Sequence, residues 1–166
     1  MPSYMVEVRN DHGGLTNLPG KVSREQLLNF QAFLTDCEQG EYPLRHFFAE
    51  AQYGREITIP AGHLIVGKIH KHAHLNLISK GECTVVTEFG SYRIKAPHTF
   101  VSEPGTKRAL YTHSETVWTT IHTTLERDLA KIEEEIIAPS FGDYDSFAGI
   151  LETTLRPILD EQQEGS

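Results

Sequence analysis

The amino-acid sequence predicts an all-β core, an antiparallel barrel or sandwich, with helices on both sides. Residues 55–122 divide into about eight short stretches rich in β-branched and aromatic residues. Turn residues such as Pro60-Ala61-Gly62 and Pro104-Gly105 separate these stretches at regular intervals. Short, evenly spaced strands are typical of sandwiches and barrels rather than of alternating strand and helix units.

Helical patterns flank this region. Ser23 is a candidate N-cap with Gln26 three residues later, and apolar residues recur at helical spacing over residues 23–38. A second apolar stripe predicts an amphipathic helix over 124–137, and it consists of Leu125, Leu129, Ile132, Ile136 and Ile137. The predicted organisation is an N-terminal arm (1–22), a helix and connection packed on the barrel (23–54), the barrel (55–122) and a C-terminal helical extension (123–166).

The amino-acid composition limits the kinds of partner that the protein is expected to bind. The 166 residues carry a formal net charge of -8, whereas binding to a nucleic-acid backbone requires clustered Lys and Arg. Cys37 and Cys83 are the only cysteines, so no disulfide framework or CxxC motif is expected. The sequence has no apolar leader and no long apolar window, so we expect no membrane association and a cytoplasmic location.

The candidate metal ligands are histidines that lie close together in the sequence. In a straight strand, residues two apart share a face, so Lys68, His70, His72 and His74 would all point one way. A turn near residues 71–73 would instead place His70 and His74 on adjacent strands, converging on one point. Imidazole nitrogen suits Zn, Fe, Ni, Cu or Mn, and such ligands with open positions make a reactive metal site.

A third ligand is available on a later strand. His122 is in phase with Trp118 and Thr120 and could complete a metal site with His70 and His74. His63 and His72 are alternatives for that position.

The spacing of these residues resembles the first motif of the cupin superfamily. Gly62, Lys68, His70, His74 and Gly81 follow its frame without a gap, although Lys68 stands where the first His belongs and His74 where the Glu belongs. Of the second motif, Gly105 remains, and the resemblance places Arg108 at its His position and Thr112 at its Asn position. The chain is also similar to short cupin-domain proteins of bacteriophages and prophages with no assigned function. The resemblance implies a cupin-like antiparallel β-barrel, or jelly roll.

Charge suggests what the barrel would bind. Lys68 and Arg108 in a concave pocket favour an anion, and the candidate ligand-binding residues are Lys68, Arg108, Tyr111, Trp118 and His63. The leading hypothesis is a small-molecule-binding cupin with a divalent Zn, Fe, Mn or Ni ion on His70, His74 and one further His. If it is catalytic, Tyr111 or a free His would move protons. Two alternatives stay open: a metal-free protein that sequesters its ligand, and a phage structural or accessory protein that uses the barrel as a scaffold.

Apolar residues on outward-facing surfaces also predict self-association. Leu75 and Leu77 lie on the strand face opposite His74, and the stripe of the 124–137 helix also needs a partner surface. Because symmetric dimers are the commonest way to cover such surfaces, we expect a homodimer.

Overall fold

A computed structural model describes residues 14–164 of the chain, so residues 1–13 of the predicted arm lie outside it. Strands and helices follow one another in the order β1 (Gly14–Leu18), α1 (Arg24–Thr35), β2 (Leu44–Ala49), β3 (Gln52–Ile59), β4 (Leu64–Val66), β5 (Ile69–His70), β6 (His74–Lys80), β7 (Glu82–Thr87), β8 (Ser91–Lys95), β9 (His98–Ser102), β10 (Arg108–Thr112), β11 (Thr116–Thr123), α2 (Leu129–Ile136), β12 (Ile137–Ala138) and α3 (Phe141–Glu164).

The strands form two five-stranded sheets. Sheet I has the order β1-β8-β7-β10-β4 and sheet II the order β2-β3-β11-β6-β9, while β12 pairs separately with β5. All these pairs are antiparallel. The two large sheets together are called the barrel below. The predicted fold class, an antiparallel all-β core with flanking helices, is confirmed.

Alternate residues of both sheets meet inside the barrel. Sheet I contributes Cys83, Val85, Ile94 and Leu110 to one apolar core, and sheet II contributes Ile59, Ile78 and Trp118. This follows from the two-residue period of a strand, which sends every second side chain inward. Outside the barrel, α1 begins at the N-cap Ser23, whose hydroxyl accepts from the Gln26 amide, and the helix buries Leu27.

The sheets extend further than the predicted range 55–122. β2 and the first residues of β3 lie in the predicted connection, and β1 of the predicted arm pairs with β8. β2 is an edge strand whose six residues are all exposed, so it lacks the alternation of buried and exposed positions that reveals a strand in a sequence.

The C-terminal helices also differ from the expected bounds. α2 begins only after Asp128, whose carboxylate accepts from the amides of Ala130 and Lys131, and Leu125 is 85% exposed outside the helix. Ile132 and Ile136 pack against Tyr53, so the apolar stripe of α2 covers its own barrel. α3, in the predicted C-terminal helical extension, is a helix of 24 residues. None of the described helices combines the length and apolar character needed to span a membrane.

The outer face of sheet II carries an apolar row across all five strands. The register aligns Phe47, Gly54, Ile121, Leu75 and Val101 side by side. Leu75 is 46% exposed and Val101 is 56% exposed. Since α2 packs on its own barrel, this row alone now supports the expected self-association, which stays a prediction.

If two copies associate through this row, charges placed in it should separate them. We expect Leu75→Lys combined with Val101→Lys to shift the mass at low micromolar concentration from two chains to one, because a stable interface of about 1,000 Å² or more needs an apolar centre. Light scattering measures the mass. The matched control is Phe33→Lys, which charges an exposed apolar residue of α1 away from the row. A wild-type mass of one chain, or a dimer that survives the double substitution, would contradict this interface.

Candidate metal centre

The chain crosses from sheet I to sheet II between β4 and β6, and β5 lies in this crossing. β5 contains only Ile69 and His70, and His70 is in register with Ile137 of β12. The amide of Lys71 donates to the Ile136 carbonyl at 2.8 Å, and the amide of Gly105 donates to the His70 carbonyl at 2.8 Å. The segment that joins α2 to α3 therefore helps to fix the backbone that carries His70.

Three histidines from three strands meet at this end of the barrel. His70 comes from β5, His74 begins β6 and His122 lies near the end of β11, where it shares the inner face with Trp118. The ring centroids are 4.2 Å apart for His70 and His74, 5.0 Å for His70 and His122, and 4.6 Å for His74 and His122. One nitrogen from each ring lies within 4.8 Å of the others, an arrangement that could hold a metal ion. This group is called the histidine triad below.

The unpaired ring nitrogens show that the triad fits a metal. The Nδ1 atom of His74 lies 3.1 Å from the His72 carbonyl and donates to it, which leaves Nε2 as the basic nitrogen. His74 Nε2 and His70 Nδ1 are both buried without a hydrogen-bond partner, an arrangement that proteins rarely tolerate. Two nitrogens on one tetrahedral zinc ion would lie roughly 3.4 Å apart, so a modest contraction of the triad would satisfy both lone pairs.

The electrostatics of the triad keep its imidazoles neutral. Burial, together with the neighbouring charges of His74 and His122, lowers the pKa of His70 to about 2. Burial lowers the pKa of His74 to about 4, and Arg108 adds to this effect. Burial and the charge of His74 lower the pKa of His122 to about 4. At neutral pH each ring therefore keeps the lone pair that a metal ligand needs.

Arg108 brings a fixed positive charge into the same region. Its side chain enters the barrel from β10, and the residue is only 9% exposed. Burial lowers the pKa of its guanidinium to about 10, so the group stays charged at neutral pH. Within residues 14–164 no carboxylate pairs with it.

Neutral polar groups hold this guanidinium in place. One Nη donates to the Ser102 hydroxyl and the other lies 3.5 Å from the Asn76 carbonyl oxygen. Asn76 also accepts from Trp118 Nε1 at 2.9 Å and donates its amide to Ser102 at 2.8 Å. The guanidinium lies over the Trp118 ring, 5.5 Å from its centroid. Trp118 belongs to the apolar core and the charge of Arg108 acts on His70 and His74, so these contacts connect the core with the histidine triad.

Two candidate residues near the triad point elsewhere. Lys68, expected in the barrel, is exposed and pairs with Glu133 of α2. His72, a candidate metal ligand, is exposed and its ring meets the edge of Phe147 of α3. In a continuous strand both would share a face with His70 and His74, but the chain breaks into β4, β5 and β6, so the alternation of faces is lost between them.

Two further candidates lie away from the triad. Tyr111 is on the opposite face of β10 from Arg108, where it meets the edge of the His113 ring. His63 lies next to Tyr42, whose hydroxyl is 3.1 Å from His63 Nδ1. Neither residue belongs to the triad, and Tyr111 lies on the outward-facing side of β10.

Asn76 and Ser102 contact Arg108 but were not among the site residues predicted from the sequence. Asn76 follows His74 by two residues, so alternation alone would have placed it on the same inner face. Ser102 lies opposite His74 in the register of β9, and no local pattern marks it.

The lowered histidine pKa values predict acid sensitivity of the metal-free protein. An unfolded histidine titrates near pH 6.5, so below that pH the unfolded chain binds protons that the folded triad excludes. The contribution of the neutral triad to the free energy of unfolding is therefore fully present above pH 6.5. It falls by roughly 1.4 kcal/mol per histidine per pH unit as the pH drops towards about 4. Urea unfolding of the metal-free protein at pH 7.5, 6.0 and 5.0 measures this slope.

The matched variants in this experiment are His122→Asn and His72→Gln. The first removes a buried histidine and should flatten the slope, while the second removes an exposed one and should leave it unchanged. Equal stability of the wild type at pH 7.5 and 5.0 would refute the lowered pKa values.

Comparisons with known proteins give only distant structural matches. No protein-family model matches the chain, and no curated protein matches its sequence. Ectoine synthase from P. lautus is 15% identical with a TM-score of 0.49, over 60% of this chain and 75% of that one. A cupin-2 domain protein from Shewanella frigidimarina is 10% identical with a TM-score of 0.43, over 61% and 100%. An acetylacetone dioxygenase from Acinetobacter johnsonii is 17% identical with a TM-score of 0.43, over 51% and 61%. At these values the likeness concerns the fold alone, and the chemistry of the site depends on the residues of this chain.

Proposed function

We propose that this chain is a cupin-type barrel protein that holds a divalent transition metal on His70, His74 and His122 and binds a small anion beside it. The observation that carries the proposal is the convergence of three neutral imidazoles, two of which have a buried nitrogen without a partner. Three nitrogen ligands leave at least one coordination position open, as in catalytic rather than structural metal sites. Zn, Fe, Mn and Ni all accept such a ligand set.

The anionic character of the ligand follows from the sum of charges. Neutral imidazoles do not compensate a divalent cation, and Arg108 adds a further buried charge without a carboxylate partner. An anion between the metal position and Arg108 would compensate both. Ser102 accepts from Arg108 and from Asn76, which leaves its own hydroxyl proton to donate to such an anion.

The residues of the barrel would bind and orient this ligand. Arg108 offers planar, bidentate recognition of a carboxylate or phosphate, and Trp118 and Asn76 fix the orientation of the guanidinium. A bound metal would supply Lewis acidity and make a bound water more acidic. Tyr111 lies on the outer side of β10, whereas the Ser102 hydroxyl lies beside Arg108 and could donate a hydrogen bond to the anion.

Metal content is the direct test of the triad. Protein purified without a histidine tag should retain about one transition-metal ion per chain, measured by elemental analysis. His70→Ala and His122→Ala should each weaken binding by more than about 100-fold, because two ligands cannot hold the ion as three do. The matched control is His72→Ala, which removes an exposed histidine close to the triad in sequence and should retain the metal.

Thermal melts of the metal-free variants show whether the substituted barrels are folded. If the folded wild type takes up no Zn²⁺, Fe²⁺, Mn²⁺ or Ni²⁺, or if His70→Ala keeps its metal, the metal centre is wrong. Anion binding by a wild type without metal would then favour the alternative of a ligand-sequestering protein.

Anion recognition is tested separately through Arg108. In Co²⁺-loaded protein, acetate, oxalate or inorganic phosphate should change the visible absorption spectrum of the metal. The change should reach a plateau as the anion concentration is raised. Arg108→Met should reduce the affinity for the most tightly bound of these anions by at least about tenfold, the magnitude expected for a lost charge-assisted hydrogen bond. Lys68→Met is the control, because this cation is outside the barrel and pairs with Glu133. Equal anion affinities of wild type and Arg108→Met would overturn this role of Arg108.

A further inference from the structure

A cavity that none of the triad histidines lines is present on the outer side of the molecule. This groove runs between the C-terminal half of α1, β4 and the junction of α2, β12 and α3, and its volume is about 730 Å³. That volume lies in the range of small-molecule sites. Its apolar walls include Leu28, Leu34, Leu64, Val66, Ile137 and Phe141, and none of the three histidines lines it.

Lys107 is the buried charge of this groove. The residue is only 5% exposed, and its Nζ donates to the Gly67 carbonyl at 2.8 Å. Both residues line the groove. Among residues 14–164 no carboxylate pairs with Lys107, and an ammonium group has three N–H donors. Burial also lowers the pKa of Lys107.

The acidic residues of the groove do not balance this charge. Glu133 is more than half exposed and pairs with Lys68. Glu38 and Glu134 are exposed as well. Their charges are therefore screened by solvent, whereas the charge of Lys107 is buried. Consecutive residues thus carry two buried cations, with Arg108 directed into the barrel and Lys107 directed into the groove.

We propose that the groove binds an amphiphilic anion, with an apolar body against the walls and a carboxylate or phosphate head on Lys107 Nζ. The apolar walls favour the body by removing it from water. The head would supply the counter-charge that a buried ammonium otherwise lacks. This site shares no lining residue with the histidine triad and goes beyond the proposed metal-dependent function.

Calorimetry with defined probes tests this site. Decanoate, decyl phosphate and decanol are compared on the full-length protein, below the concentrations at which they form micelles. We expect the two anions to bind at least about tenfold more tightly than decanol. The tighter of the two identifies the head group as carboxylate or phosphate. Lys107→Met should reduce the affinity for both anions by at least about tenfold and leave that for decanol unchanged.

Two further variants make the result specific. Lys68→Met removes an exposed cation that lines the same groove, and its anion affinity should equal that of the wild type. Leu28→Glu places a charge on a partly exposed wall position of α1 and should abolish binding of all three probes. Because Leu28 is on the helix surface, this variant stays informative if Lys107→Met fails to fold.

The histidine variant separates this site from the metal centre. His122→Ala should bind decanoate as the wild type does, since the triad does not line the groove. The inference is overturned if no anion binds at millimolar concentration, if decanol binds as tightly as decanoate, or if Lys107→Met and Leu28→Glu leave the affinities unchanged.

Discussion

The arrangement of polar groups inside this barrel depends on the buried guanidinium of Arg108, which has no carboxylate partner among the described side chains. Bringing such a charge out of water costs several kcal/mol unless its hydrogen bonds are replaced. Ser102, Asn76 and the face of Trp118 provide the replacement around Arg108. Trp118 belongs to the apolar core, so this network joins the core to the guanidinium. Burial is the main cause that keeps His70 and His74 unprotonated, and the positive charge of Arg108 adds to it.

The end of the barrel that holds the triad is closed by the C-terminal part of the chain. α2 places Ile132 and Ile136 on Tyr53, whose ring lies 6.4 Å from that of His122. α3 brings Tyr144 against Gly105, where an added Cβ would lie 2.3 Å from the tyrosine ring. Gly105 has a φ of 76° and donates to the His70 carbonyl, so only glycine suits this position in both conformation and space.

Continuous strands made part of this site predictable from the sequence. β6 and β11 keep their alternation, so the inward directions of His74, Trp118 and His122 could be derived from a two-residue period. That period also forbids Arg108 and Tyr111, three residues apart, from facing the same side of β10, and the candidate ligand set overlooked this. The assignments failed where the chain leaves a sheet, since the breaks around β5 release Lys68 and His72 from any common face. The groove around Lys107 could not be predicted, because it is formed by three elements that are distant in sequence.

The pairing of β5 with β12 links His70 to the order in which the chain is made. His74 and His122 lie on strands of sheet II that pair with each other, and both precede α2 in the sequence. His70 lies on a strand of two residues whose partner, Ile137–Ala138, is synthesised much later. During translation the barrel sheets can therefore form while one of the three histidines still lacks its strand partner. Docking of the C-terminal segment is therefore the step that completes the backbone contacts around His70.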